Sequence, residues 1–140
     1  MSIPFGAKIP FVDHLGFSLE KFEGGVSELH FAPRPEHLNS FDVTHGGAVM
    51  TFLDVVMATA ARSVDPEMGV VTIEMKTSFM RPAKVPAGQA LVGQGRLQHR
   101  TRSMAFTEGS VFDAQGQLCA HATGTFKYVS RRETPSPSTD

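Results

Sequence analysis

Hydrophobic and polar positions along the chain follow two periods, and the places where the period changes outline a fold. Residues 17–22 and 26–32 alternate apolar and polar side chains, the period of a half-buried strand, and the Gly24-Gly25 pair between them predicts a hairpin. Pro33-Arg34-Pro35-Glu36 ends the second strand, and 37–44 follows as a polar loop. Residues 46–63 change to the helical period. Val49, Met50, Phe52, Leu53, Val56 and Met57 fill a broad arc, while Gly47, Asp54, Ala58 and Ala61 gather on a narrower arc of small side chains flanked by Thr51 and Arg62. No face is properly charged, so the pattern predicts a helix buried on most sides. Asp65-Pro66 stops it. Alternation then returns in four stretches, 70–79, 89–98, 102–112 and 118–129. The first puts Val71, Ile73, Met75 and Thr77 on one face and Thr72, Glu74, Lys76 and Ser78 on the other. Gly93 and Gly95 predict bends or close backbone approach, and Asp113-Ala114-Gln115-Gly116 a turn. Ahead of all this, residues 10–16 have room for a short helical turn ending at Gly16.

Strand, strand, helix, then four strands is an α+β order. One long helix wrapped by a curved antiparallel sheet of about six strands is the simplest way to cover so apolar a helix. The domain is predicted over 10–129. Residues 130–140, with two prolines and no apolar side chain, are expected to form a disordered tail.

A chain of 140 residues supports one sizeable core. Its net charge of −1 suggests neither a nucleic-acid nor a membrane-surface partner. Cys119 is alone, which excludes a disulfide framework and a cysteine-based metal knuckle. The N-terminal stretch lacks the basic start and apolar core of a signal peptide, and the longest apolar run is too short to span a bilayer, so a cytoplasmic location is expected.

Two features carry candidate chemistry. The start of the long helix offers N–H groups with no partner inside the helix and partial positive charge, and Gly46-Gly47 leaves them open to an approaching oxygen. The same glycines also suit an ordinary turn. Asp54 lies on the small-residue arc with Met50, Thr51, Met57 and Ala58 at its i±3 and i±4 positions, and so without a basic neighbour on its own helix. A carboxylate there is costly unless partners or a task account for it. Eight residues of helix span about 12 Å, whereas attack on one carbon needs contact at about 3 Å. If Gly46 and Asp54 serve one carbonyl, two chains must supply them, with helices side by side and antiparallel in a two-fold dimer.

His45-Gly46-Gly47 followed by Asp54, with Asn39 upstream and Val71-Thr72-Ile73-Glu74-Met75 and Phe79-Met80-Arg81-Pro82-Ala83 downstream, resembles the hotdog-fold thioesterases of the PaaI-like acyl-CoA thioesterase family. The resemblance covers about residues 10–129. It implies the hotdog fold, homodimers or homotetramers with sites at the dimer interface, and hydrolysis of acyl-CoA without metal or cofactor. Carried over, Gly46 offers its N–H to the thioester oxygen. Asn39 helps hold the carbonyl or the water. Asp54 of the partner chain is general base or nucleophile, Thr72 orients the water, and His45 shapes the loop. The sequence departs from the pattern at Asp42, where many relatives carry glycine; Asp tolerates the left-handed backbone. Arg81, Lys84, Arg100 and Arg102 are candidates for the phosphates of coenzyme A, or solvated charges on loops. Phe41, Met50, Met57, Phe79 and Met80 are candidates to line an acyl pocket. His14, His30, His37, His99 and His121 show no metal-ligand spacing. The rival readings are an acyl-thioester hydratase or dehydratase and a non-catalytic acyl-CoA-binding protein.

Overall fold

The computed structural model describes residues 2–131. Its elements run α1 (Pro10–Leu15), β1 (Ser18–Glu23), β2 (Val26–Phe31), α2 (Gly46–Arg62), β3 (Met68–Phe79), β4 (Leu91–Arg100), β5 (Met104–Phe112) and β6 (Leu118–Ser130), with a 3₁₀ turn at Pro35–His37. The six strands form one antiparallel sheet in the order β1-β2-β4-β5-β6-β3. Gly24 and Gly25 make the β1–β2 turn with φ of +60° and +85°, the left-handed pair that a tight hairpin requires. The predicted tail begins later than expected, since Ser130 closes β6; residues 132–140 of it lie outside the described residues.

The sheet curls around α2 because its strands reach the helix backbone to backbone. A Cβ on Gly93 would stand 2.6 Å from Val56 Cγ2, and one on Gly95 would stand 2.6 Å from the Val56 carbonyl oxygen. Only glycine allows that approach, as the sequence pattern implied. Ser27 closes the same contact by donating to the Val56 carbonyl at 2.7 Å, and the Tyr128 hydroxyl donates to the Ala61 carbonyl at 2.7 Å. Phe52, Leu53, Val56 and Met57 are fully buried between helix and sheet, with Phe31, Leu91 and Phe126 from the strands.

The helix is less enclosed than its composition implies. A sheet covers one side of it, and the face left partly open carries Gly47, Met50, Thr51, Asp54 and Ala58. Met50 is therefore 38% exposed, whereas Ala61, expected on the small-residue arc, and Arg62, expected to flank it, are buried; Arg62 donates to the Phe5 carbonyl and stacks on Phe22.

One strand face also differs. β3 pairs Thr72 with Phe126 but Glu74 with Thr125, so Ile73 is an extra residue in a bulge. A one-residue slip exchanges the faces of everything beyond it. Val70, Thr72, Met75, Thr77 and Phe79 lie opposite Tyr128, Phe126, Gly124, Ala122 and Ala120, the helix-facing positions of β6. The grouping of Val71 and Ile73 with Met75 and Thr77 is thereby corrected. Val71 and Ile73 are 46% and 53% exposed on β3, which forms one edge of the sheet.

Candidate active site

The start of α2 is built by its N-cap. His45 Nδ1 accepts the Gly47 N–H at 2.8 Å, and the His45 carbonyl accepts Ala48 N–H at 2.9 Å and Val49 N–H at 3.1 Å. The Gly46 N–H has no acceptor among the described residues. The cap thus consumes every first-turn donor except one, at the end of a helix whose dipole favours negative charge there. His45 is the capping residue of α2. It is anchored in turn by donating its own N–H to the His37 carbonyl at 2.8 Å.

Asn39 fixes the loop ahead of the cap. Its Oδ1 accepts from Phe41 N–H at 2.8 Å and Val43 N–H at 3.2 Å, which leaves the amide Nδ2 as its remaining donor for a ligand. Asp42 takes φ +59°, a left-handed conformation that Asp tolerates. Loop and helix start open on a cavity of 470 Å³ whose walls include Asn39, Phe41, Gly46, Phe79, Met80 and Arg81.

Asp54 lies two turns along α2, half-buried on the open face. Thr72, delivered by the stretch of β3 just before the bulge, donates its hydroxyl to Asp54 Oδ1 at 2.6 Å. Burial pushes the Asp54 carboxyl above its ordinary value, and the Thr72 hydrogen bond opposes that rise by favouring the ionised form. Asp54 contributes to a separate cavity of 360 Å³, together with Ile9, Phe11, Met50, Val55 and Met75.

The two cavities have no lining residue in common. A single chain therefore brings together Gly46 and Asn39 on one side, and Asp54 with Thr72 on the other, while His45 lines a third cleft with Phe11 and Thr51. Of the basic candidates, Arg81 belongs to the Gly46 cavity, and Lys84 to an adjoining 310 Å³ cleft that shares Thr44 with it. Arg100 stacks over the Tyr128 ring at 4.2 Å, at the Ala61 end of α2, and Arg102 lies in the turn after β4. Those two are a helix length, about 25 Å, from Gly46 of the same chain. The acyl-pocket candidates are divided as well: Phe41, Phe79 and Met80 line the Gly46 cavity, Met50 lines the Asp54 cavity, and Met57 is sealed in the core. Sequence reasoning missed Ile9, Phe11 and Met75 at the Asp54 cavity. Met75 was hidden by the bulge, and six residues of α1 are too few to show a periodic face.

A long helix wrapped by a six-stranded antiparallel sheet, with these features at its start and on its open face, is the hotdog arrangement of PaaI-like thioesterases. The thioesterase superfamily matches residues 41–120, and the chain belongs to that family of hydrolases. Among curated relatives, a protein of Saccharolobus solfataricus named "Putative esterase" is 32% identical over 122 residues, 87% of this chain and 78% of its own. Among solved structures, the E. coli PaaI protein of the phenylacetic acid degradation operon superposes with a TM-score of 0.80, at 19% identity, over 88% of this chain and 86% of its own. A Streptococcus mutans protein bound to acetyl CoA superposes with a TM-score of 0.73, at 24% identity, over 81% of this chain and 89% of its own. No helix among the described residues is long and apolar enough to cross a membrane.

Proposed function

We propose that this hydrolase is an acyl-CoA thioesterase, working in the cytoplasm as a homodimer or as a homotetramer of two such dimers. Each site takes Gly46 from one subunit and Asp54 from the other. The observation that carries the reading is the division of the chemistry between two cavities: one free helix-start N–H in the first, one burial-raised carboxylate in the second. The open edge of β3, with Val71 and Ile73 exposed, and the small residues around Asp54 on α2 supply surfaces on which a second copy could bring the halves together.

In this mechanism the thioester oxygen accepts from Gly46 N–H and the Asn39 amide. Asp54 removes a proton from a water that Thr72 helps to orient, and the water oxygen bonds to the thioester carbon. The oxyanion that forms is held by the Gly46 N–H and the field of the helix start. Its collapse breaks the carbon–sulfur bond, and the thiolate takes the proton from Asp54, releasing a free acid and coenzyme A. Carboxylate, backbone donor and water complete the balance, so the step requires neither metal nor cofactor. Arg81 and Lys84, which line the Gly46 cavity and its adjoining cleft, would meet phosphates of coenzyme A bound there, whereas Arg100 and Arg102 could do so only at a site completed by a second chain. If Asp54 attacks the carbon itself, the carbon–sulfur bond breaks, the thiolate of coenzyme A leaves and a mixed anhydride forms, which added hydroxylamine would trap as a hydroxamate.

Thiol release over a panel of aliphatic and aromatic acyl-CoAs tests the activity. Asp54→Asn should keep the fold and lower kcat by about 10²–10⁴-fold, the range of a lost general base. Turnover unchanged in that variant would end the assignment. An enoyl-CoA separates the hydratase alternative, because hydration leaves the thioester intact. Tight acyl-CoA binding without thiol release would favour the non-catalytic one.

A further inference from the structure

Three groups leave the thioester carbon, and the two cavities differ in what they can take. The oxygen goes to Gly46. The sulfur leads to a long polyanionic arm that needs cations, whereas the acyl carbon leads to a group that needs none. The Gly46 cavity has Arg81 in its wall and Lys84 in the adjoining cleft. The Asp54 cavity has no cation in its wall. Its surface comes from Ile9, Phe11 and Val12 of the N-terminal segment, Met50 and Val55 of α2, and Met75 of β3. The polar side chains there are Asp54 and Thr51, and the Thr51 hydroxyl already donates to the Gly47 carbonyl at 2.9 Å. Phe11 is 57% exposed, an aromatic ring left largely in water beside the carboxylate.

We propose that the acyl group occupies the Asp54 cavity, and that Phe11, with Ile9, Met50 and Met75, selects an unsubstituted apolar acyl group there. The inference rests on the thioesterase reading above and adds the subsite and its chemistry. The coenzyme A arm then leaves across the Gly46 cavity toward Arg81. Each methylene added to the acyl chain raises kcat/KM by about fourfold until the cavity is full. The two methionines let the walls adapt to a straight chain or a ring. A hydroxyl at the far end of the acyl group is disfavoured, because the lining beyond Asp54 and the already engaged Thr51 is apolar.

The test is thiol release from acetyl-, butyryl-, hexanoyl-, octanoyl-, phenylacetyl- and ω-hydroxyoctanoyl-CoA by the full chain and three variants. Phe11→Ala, at an exposed position, is expected to lower the octanoyl-to-acetyl ratio of kcat/KM by about tenfold. Phe11→Trp should narrow the cavity and move the optimum to a shorter chain. Phe41→Ala, in the wall of the other cavity and 82% exposed, is expected to raise KM for every substrate by one common factor. The reverse pattern, with Phe41→Ala changing the preference and Phe11→Ala shifting all substrates alike, would overturn the assignment, as would preference for the hydroxylated chain. If the unaltered chain releases thiol from none of them, the thioesterase reading itself fails and takes this inference with it.

Discussion

At the scale of single residues, the account turns on what Asp54 loses and gains by its position. Burial makes its ionised form expensive, and Thr72 recovers part of that cost through a 2.6 Å hydrogen bond. A base must be ionised to act, and the ionised fraction falls as pH drops through the group's pKa. Since burial raises that pKa, the acid limb of kcat should lie above the ordinary carboxylate range. Thr72→Ala removes the one influence that lowers it, so the limb should move further up, with slower turnover on the plateau; a limb that stays put or moves down would contradict the pairing. His45 carries a separate prediction. Its Nδ1 is engaged as the cap of α2, and Asn is among the best capping residues. His45→Asn should therefore retain most of kcat, whereas His45→Ala should lose about 1 kcal/mol of stability in a denaturation curve. A collapse of kcat in the Asn variant, at unchanged stability, would show that the ring moves protons.

Elements set how precisely those residues are placed. The glycine contacts of β4 hold α2 at backbone distance from the sheet, and a Cβ at position 95 meets both Ser27 Oγ and the Val56 carbonyl at 2.6 Å. Gly95→Ala should cost about 1–3 kcal/mol of stability by thermal or chemical unfolding, the usual cost of overpacking. An unchanged midpoint would mean that the helix tolerates displacement. These elements were legible in the sequence because each is long enough to show its period: the observed α2 and six strands fall within a few residues of the pattern. The Gly46 and Asp54 positions were legible for a related reason, since a bare helix start and a lone acid eight residues on both break the local rule for a buried helix. The faces of β3 beyond residue 72 were not legible, because the bulge at Ile73 adds a residue without altering the alternation. The walls of the Asp54 cavity were hidden too. They come from three elements far apart in the chain, and α1 has no readable period of its own.

Gly46 and Asp54 are about 12 Å apart along one helix and open on cavities with no wall in common, so the mechanism proposed above requires a pair of chains. Each half can be disabled separately. Asp54→Asn removes the base. Gly46→Pro removes the one free N–H at a position that takes proline well: it is the first residue of α2, and His45 before it has ψ of 136°. Each variant alone should be nearly inactive. Mixed by co-refolding in equal amounts, they should recover about a quarter of the unaltered activity, because half the dimers are then mixed and each of those holds one intact site. Recovery near that level is the result this account predicts. Two folded, dimer-forming variants that stay inactive together would contradict it, since both groups would then have to come from the same chain.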